Sequence, residues 1–393
     1  MTDFTQGLYY KNFPATKPPH KVIPRFKQLF EESFLRSETK PFFLFTGTNN
    51  IVELENLFLN SKQIKRLDQQ GLDFYIYEPL SSYRTKPHNR EFYSEFIDLK
   101  PQLYADELDS IQKFKNKYGI RNINVYTCDY KVKEFFQKQY PDLNLYCLDI
   151  FLRDYFPGSK INDNVKPTKK FVCTNWRYTK HRHIIMCNLH SKPGHYSWQF
   201  KADKKLLQEN TFLTKDFWMS IHNKTTMNGL AELNLKSPMA IDLAPTSSKY
   251  VEPHLGTKWP DDQHKLEANL KDAYYDSFIS IVNETRFAQP TANLSEKVFT
   301  AMWFQRPFLI VGPPYSLEYL KKLGFVTWDK WIDESYDTIE DHTQRMMKIL
   351  DVINTINDTD QDKLCIMLDE MSKFLKRNQK LVTRFYNDVT ILE

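Results

Sequence analysis

Short apolar runs alternate with polar stretches along the first half of the chain. Four of these runs have strand length and are rich in aromatic and β-branched residues, at 41–47, 73–79, 122–128 and 143–149. The polar stretch 105–119 has helical composition and closes on a glycine, as helices often do. This alternation predicts a mostly parallel sheet that is covered by helices.

The second half repeats the alternation after a connector at 156–170 that is rich in turn-forming residues. Strands are predicted at 170–176, 277–285 and 307–314. Helices are predicted at 181–190, 295–304, 316–324, about 338–355 and 360–386. We therefore expect an N-terminal α/β domain over 1–160, a second α/β domain over 161–355, and a C-terminal helical segment over 356–393 that packs across the two.

Glycine is scarce, with only 10 in 393 residues, and no two glycines stand in a G-x-G spacing. The glycine-rich dinucleotide loop, the Walker phosphate loop and the G-x-S-x-G nucleophile elbow are therefore absent. A nucleotide would have to be held by charged side chains and helix ends instead. Five cysteines without a C-x-x-C pair predict free thiols in a reducing compartment. With no apolar leader or spanning segment, we expect a cytoplasmic protein, in the host cytoplasm if the chain is viral.

The net charge of +5 is unevenly distributed along the chain. Between residues 157 and 205, eleven Lys and Arg residues stand against two acids, and the same segment holds four of the ten histidines. Clustered positive charge predicts a site for phosphate groups, either of a nucleotide or of a nucleic-acid backbone. The alternative interpretation is a solvent-exposed face and linker.

The segment 277–314 has the most informative order of features: a strand, an acidic turn, a helix that starts at Ser-Glu-Lys, and a second strand. Ser295 stands where an N-cap hydroxyl is expected, and Glu296 and Lys297 fall in the first helical turn. A lysine at this position opposes the helix dipole, which indicates an anionic neighbour. Ligands of open α/β sheets collect at the carboxyl ends of strands, and helix N-termini suit phosphate. The alternative is an ordinary capped helix with a surface lysine.

This segment resembles the donor-site signature of two-domain (GT-B) glycosyltransferases and is most similar to the α-1,3-fucosyltransferase family. That family runs F-x-x-x-F-E-N-S, then T-E-K, an apolar helix and P-[IV]-x-x-G. Here Ser295-Glu296-Lys297 takes the T-E-K place, and 307–312 takes that of the closing strand.

The resemblance extends over roughly 170–350 of the chain. The text FVCTNWRYTKHRHIIMCNL is similar to the family's strand, Asn and basic loop, with Asn175 and Arg182 at the matching positions. The stretch 316–341 resembles uncharacterised glycosyltransferase-like proteins of phages and marine bacteria. The N-terminal half has no counterpart in this likeness.

The resemblance implies a GT-B fold, with two Rossmann-like domains facing a central cleft and C-terminal helices. It implies that Arg182 and Lys297 hold the donor diphosphate and that Glu296 binds the ribose hydroxyls. The whole expected donor-binding set is Asn175, Arg177, Arg182, Glu284, Ser295, Glu296 and Lys297. The family's Glu-Asn-Ser reads Asn283-Glu284-Thr285 here, and on a strand this displacement turns the acid to the other face.

A catalytic base is needed if the transfer inverts the configuration of the sugar, because a carboxylate must take the acceptor proton. Glu78, Asp129 and Asp149 follow strands of the first domain and are the candidates. Glu78 is preferred because Pro79 ends its strand and fixes the turn. The alternatives are three structural turn acids, or a retaining transfer that needs no such base.

The acceptor contacts are predicted within the basic segment, where aromatic residues alternate with charged ones. Lys180, His181 and Trp198 are candidates to follow a phosphate backbone and to stack a flipped base. The resemblance implies a hexosyl- or pentosyltransferase that uses a UDP- or GDP-linked sugar. Phage glycosyltransferases act on modified cytosine and are basic in the cleft, and the likeness to them implies hydroxymethylcytosine in phage DNA as the acceptor. A glycan acceptor is the alternative, and so is a non-catalytic DNA-binding protein with a degenerate transferase fold.

No metal site and no cofactor are expected, and the nucleotide sugar is treated as a substrate. The acidic run 358–362 has a lysine where a calcium loop needs glycine, and the histidines lack partners at zinc spacing. No stretch has the amphipathic pattern of a membrane-surface helix. A monomer without membrane contacts is expected.

Overall fold

The computed structural model of the chain describes residues 42–45, 61–76, 102–127, 132–148, 166–175, 179–198, 271–284, 287–288, 294–387 and 391–392. The chain divides into two compact units. The first comprises Met1–Arg90, Leu99–Asp154 and Asp388–Glu393, and the second comprises Glu91–Asp98 and Tyr155–Asn387. Both units contain mainly parallel sheet with helices between the strands, which confirms the predicted α/β class.

The first unit is built on a five-stranded sheet in the order β1-β2-β3-β4-β9. Its strands are β1 (Phe42–Phe45), β2 (Leu72–Ile76), β3 (Ile123–Thr127), β4 (Asn144–Leu148) and β9 (Ile391–Leu392). Its helices are α1 (Ser61–Gln70), α2 (Gln102–Tyr118) and α3 (Val132–Phe136). The first four strands are parallel, and β9 pairs antiparallel with β4.

The two faces of this sheet carry different residues because side chains alternate along a strand. Apolar residues of β2, β3 and β4 pack against all three helices in one core, with Phe74, Phe114 and Phe136 among its members. On the opposite face, Asn124 Nδ2 donates to Asp73 Oδ1 at 2.8 Å, and Asn144 Nδ2 donates to Asn124 Oδ1 at 3.0 Å. This polar row ties three parallel strands together at equivalent register positions.

The second unit contains a four-stranded parallel sheet in the order β6-β5-β7-β8. Its strands are β5 (Lys169–Cys173), β6 (Gly194–Tyr196), β7 (Ser277–Asn283) and β8 (Phe308–Val311). Its helices are α4 (Lys180–Leu189), α5 (Glu296–Trp303), α6 (Ser316–Lys322), α7 (His342–Asp358) and α8 (Gln361–Asn387). All seven residues of β7 are buried, as expected for a central parallel strand with both faces covered.

The order of these strands creates a topological switch point between β5 and β7. The chain leaves β5 through α4 and joins β6 on one side, whereas it leaves β7 through α5 and joins β8 on the other side. The two helices therefore start beside neighbouring strand ends and diverge. Crevices at such points are where open α/β sheets bind ligands.

The last helix, α8, belongs to the second unit, where it packs against α5. Asn378 is fully buried and acts as a strand mimic, accepting from Val326 N at 2.8 Å and donating to Val326 O at 2.7 Å. Gln379 Nε2 donates to the Trp303 carbonyl, which ties α8 to the end of α5. The expected packing of this segment across both domains, and the expected domain boundaries, stay predictions.

Candidate functional site

The carboxyl ends of β5 and β7 are joined by a buried network of two asparagines and a cysteine. Asn283 Nδ2 donates to Asn175 Oδ1 at 2.9 Å and to Cys173 Sγ at 3.3 Å. Asn175 in turn contacts the segment after β6, since its backbone N–H donates to Ser197 Oγ at 2.8 Å. Asn175, which was expected to touch the donor, therefore links the ends of β5, β6 and β7.

The first turn of α4 adds two basic side chains to these strand ends. Thr179 caps the helix, and its hydroxyl accepts from the backbone N–H of Arg182. Arg182 Nη2 donates to the Asn283 carbonyl at 3.0 Å, and His181 Nε2 donates to the Glu284 carbonyl at 2.9 Å. Both side chains are buried, so α4 is anchored to the last residues of β7 through the groups that the sequence singled out.

The first turn of α5 lies against the same strand end. Glu284, directly after β7, is 1% exposed, and its Oε1 accepts from the backbone N–H of Ser295 at 3.0 Å. Ser295 is the N-cap of α5, and Lys297 Nζ donates to its hydroxyl at 2.8 Å. The displaced acid of the family pattern therefore still reaches the helix start, because it lies past the last residue of β7.

A buried arginine, Arg345, joins the backbone segments next to these groups. Arg345 on α7 is 1% exposed and donates to the carbonyls of Phe287 and Gly312, at 2.5 Å and 3.3 Å. Its guanidinium also lies 4.5 Å from the centre of the Phe287 ring, which stacks on His181 at 5.4 Å and lies 6.5 Å from the ring of His342. A Cβ added at Gly312 would stand 3.1 Å from Ile310 Cγ2 and 3.2 Å from Glu284 Cγ, so a larger residue there would have to displace these side chains.

Burial sets the charge states of the site. It lowers the pKa of His181 to about 3, with a smaller contribution from Arg182, so this imidazole is neutral at pH 7. Burial likewise raises the pKa of the Cys173 thiol to about 12, which excludes a thiolate nucleophile. Arg345 keeps its charge although burial lowers its pKa to about 10. The site thus combines neutral hydrogen-bonding groups with permanent positive charge.

The arrangement is suited to an anion with a polar substituent. Two helix N-termini, those of α4 and α5, meet at the switch point, and Lys297 is the half-buried cation at the edge of α5. Helix N-termini and a lysine attract a phosphate without a metal. Glu284 and the asparagines add acceptors and donors for a neutral polar group.

The structure brings together five of the residues predicted from the sequence to form the site: Asn175, Arg182, Glu284, Ser295 and Lys297. Lys180 and Glu296 are placed by their backbone at the first positions of α4 and α5. Arg177 and the candidate bases Glu78, Asp129 and Asp149 lie outside the described residues. Their roles stay predictions.

Two of the three predicted acceptor contacts have little accessible surface. His181 is 0% exposed and Trp198 is 1% exposed, with its ring edge-on to His183 at 5.1 Å. A base stacks on an exposed ring face, and these rings do not present one in the structure. Nothing in the described residues therefore adds to the acceptor roles that the sequence suggests for them.

Part of the basic segment is used inside the fold. Lys170 Nζ donates to the carbonyls of Asn357 and, at 2.7 Å, Thr359, which are at the end of α7. Arg182 is bound to a strand-end carbonyl as described above. These two charges satisfy orphan backbone groups at element ends, a role that a count of charges along the chain does not reveal.

Sequence reasoning missed Cys173, Phe287, Gly312 and Arg345 as parts of the site. Gly312 stood in the quoted P-[IV]-x-x-G pattern but had no role assigned to it. Arg345 lies about fifty residues after α5 begins, in an amphipathic helix where a single basic residue carries no signal. Only the contacts made in the fold bring it behind the site.

Comparisons with known proteins leave the family open. No protein-family description matches the chain, and no curated protein matches it. A solved structure of sucrose-phosphate synthase from Thermosynechococcus elongatus is similar with a TM-score of 0.36 and 9% sequence identity, covering 96% of this chain and 82% of that one. The interpretation of the site therefore depends on its own geometry.

The described residues contain neither a cluster of metal ligands nor a helix that could span a membrane. No group of three or more His, Cys, Asp and Glu side chains in the described part has a geometry that could hold a metal ion. None of the helices in that part combines the length and the apolar character that a membrane span requires.

Proposed function

We propose that the chain is a glycosyltransferase of the GT-B type that binds a UDP- or GDP-linked sugar at the switch point of its second unit. The observation that carries the proposal is the meeting of two helix starts with Arg182, Glu284 and Lys297 at the ends of β5 and β7. Ligand sites of open parallel sheets lie at this place. The resemblance of the same residues to a donor signature supports the choice of a nucleotide sugar.

In the proposed reaction, an acceptor hydroxyl oxygen attacks the anomeric carbon of the sugar. The bond between that carbon and the phosphate oxygen breaks, and the nucleoside diphosphate leaves with the bonding electron pair. Its developing negative charge is stabilised by Lys297 and by the positive end of the α5 dipole. The positive charge of Arg182, which is buried at the end of β7, adds to this stabilisation, because low solvent exposure strengthens its electric field.

The acceptor proton must leave during the transfer. In an inverting enzyme it passes to a carboxylate, and Glu78, Asp129 and Asp149 remain the candidates for this role. The proposed acceptor is hydroxymethylcytosine in DNA, with a glycan as the alternative. This choice rests on the excess of Lys and Arg over residues 157–205.

The test is nucleotide release by the purified full-length chain. A panel of UDP- and GDP-sugars is incubated alone, with hydroxymethylcytosine DNA, and with oligosaccharides, and the released diphosphate is measured. Release that rises at least tenfold with one acceptor supports the proposal and identifies the acceptor class.

A pair of lysine variants links the activity to the site. Lys297→Ala should lower release by at least tenfold, since one charge-assisted contact to the diphosphate is lost. Lys363 is the matched control because it is an exposed lysine in the first turn of another helix, α8. Lys363→Ala should leave release unchanged. If no sugar nucleotide is consumed and the chain still binds DNA after Lys297→Ala, the non-catalytic alternative is correct.

A further inference from the structure

Two hydrogen-bond acceptors at the switch point are buried without a partner among the described residues: Asn283 Oδ1 and His181 Nδ1. The first lies on the last residue of β7 and the second on the first turn of α4. Both side chains are at most 1% exposed. Buried polar atoms almost always have partners, so each such atom requires an explanation.

The orientation of the Asn283 amide follows from its neighbours. The Ser197 carbonyl can only accept, so the Asn175 atom 3.4 Å from it is the amide nitrogen. Asn175 Oδ1 therefore faces Asn283, and the Asn283 atom at 2.9 Å must be the donor Nδ2. The remaining atom, Oδ1, is consequently an acceptor.

The tautomer of His181 follows in the same way. The Glu284 carbonyl at 2.9 Å can only accept, so His181 Nε2 carries the proton. The imidazole is neutral in this buried place, which leaves a lone pair on Nδ1. The two unpartnered atoms thus require the same complement, an O–H or N–H donor.

A phosphate cannot satisfy them, because an ionised phosphate has only acceptor oxygens. The Lys297 side of the site offers donors, whereas these two atoms offer lone pairs. A nucleotide sugar carries both kinds of group, since its diphosphate accepts and its hydroxyls donate. A nucleotide sugar bound here would therefore be oriented by the chemical character of the two sides.

We infer that His181 Nδ1 and Asn283 Oδ1 accept hydrogen bonds from hydroxyl groups of the bound nucleotide sugar, while its diphosphate lies at the start of α5. This inference rests on the proposed function and deepens it. The hydroxyls belong either to the ribose or to the transferred sugar. Because both acceptors are enclosed, a hydroxyl that reaches them is removed from water, where hydrogen bonds discriminate most strongly between ligands.

The experiment is isothermal titration calorimetry on the full-length chain. UDP, GDP, UDP-glucose and GDP-mannose are titrated first, and the ligand that binds most tightly is then compared with its 2′-deoxyribose, 3′-deoxyribose and deoxyhexose forms. Wild type should bind at least one deoxy form about tenfold more weakly than the parent. The form that loses affinity shows whether the ribose or the transferred sugar supplies the hydroxyl.

His181→Gln is the matched variant. The glutamine amide nitrogen can replace Nε2 as donor to the Glu284 carbonyl. Its Oε1 then points away from the former position of Nδ1, where no acceptor is left. The variant should keep its denaturation midpoint within the range of a surface substitution, bind the parent ligand about tenfold more weakly, and bind the discriminated deoxy form as wild type does. Equal loss for parent and deoxy forms would overturn the inference, because the effect would then be structural.

The outcomes separate the two proposals. Absence of binding by every nucleotide and sugar nucleotide would overturn both. Binding in which wild type fails to distinguish any deoxy form would overturn only the hydroxyl assignment and leave the transferase proposal standing. A structure of the complex in which waters occupy both acceptors would have the same consequence.

Discussion

Replacement of Arg345 by methionine tests whether this buried side chain holds the backbone segments around the site in place. The guanidinium donates to four backbone carbonyls, those of Phe287, Gly312, Ile339 and Glu340, at 2.5 to 3.3 Å. These carbonyls belong to the segment after β7, to the residue directly after β8, and to the residues that precede α7. Methionine has similar length and apolar volume but no donor.

The expected loss can be worked out from these contacts. The buried carbonyls of Phe287 and Gly312 each cost about 1–2 kcal/mol when they lose their donor, and the part-buried carbonyls of Ile339 and Glu340 cost less. The cation–π contact with Phe287 adds about 1 kcal/mol. Part of this loss in stability is offset, because methionine removes a buried charge. Burial disfavours the charged form of Arg345 and lowers its pKa to about 10. We expect a net decrease of about 3 kcal/mol in the free energy of unfolding.

Urea denaturation measures this loss as a lower midpoint at unchanged slope. Arg377 provides the control, because it is exposed and makes only a long bond to the Gly324 carbonyl, at 3.4 Å, within the described part of the chain. Arg377→Met should change the unfolding free energy by less than about 0.5 kcal/mol. A loss below about 1 kcal/mol in Arg345→Met would refute the reasoning, since the carbonyls would then have other partners in the folded protein.

Three further predictions concern other parts of the second unit. Gly312→Ala places a Cβ 3.2 Å from Glu284 Cγ, so it should lower the free energy of unfolding in urea by about 1–3 kcal/mol and weaken nucleotide binding. If neither value changes, Glu284 moves aside without cost and the tight contact is not important. Burial raises the pKa of Asp337 to about 6 against 3.8 in the unfolded chain, so stability is lost as pH rises through this range. The unfolding free energy of wild type should fall relative to Asp337→Asn by up to about 3 kcal/mol between pH 4 and pH 7, and a pH-independent difference would contradict this. Asn378→Ala leaves both backbone groups of Val326 without partners and should cost about 2–4 kcal/mol in the same assay, with a loss under 1 kcal/mol counting against the strand-mimic role.

The long elements of the fold could be predicted from the sequence because their signals are local. The strand predicted at 277–285 is found at Ser277–Asn283, and the helix predicted at 360–386 is found at Gln361–Asn387. The short strand β6 at Gly194–Tyr196 was missed, since three residues carry no periodic pattern. Strand β9 was missed for the same reason, and its pairing with β4 depends on residues more than 240 positions away.

The candidate site could be predicted only where its residues follow element ends. Ser295 and Lys297 were found because N-cap chemistry is local, and Arg182 was found because a family pattern marks it. The partners of Asn283 could not be found, because they lie on β5 and depend on strand order. The displaced position of Glu284 predicted that its side chain lies on the face of β7 away from the site. Strand β7 ends one residue earlier, at Asn283, so the alternation of side chains between the two faces no longer applies to Glu284.

The scarcity of glycine has a counterpart in how the site is built. In a glycine-rich loop, free backbone N–H groups surround the phosphate, and the loop must adopt conformations that other residues avoid. Here Arg182, His181 and Arg345 donate to backbone carbonyls around the switch point, and Glu284 accepts from the N–H of Ser295. Buried side chains thus fix the strand ends and helix starts, and fixed dipoles of this kind need no reorganisation when a ligand binds. If that is the basis of binding, affinity should depend as much on Arg345, behind the site, as on Lys297 at its edge.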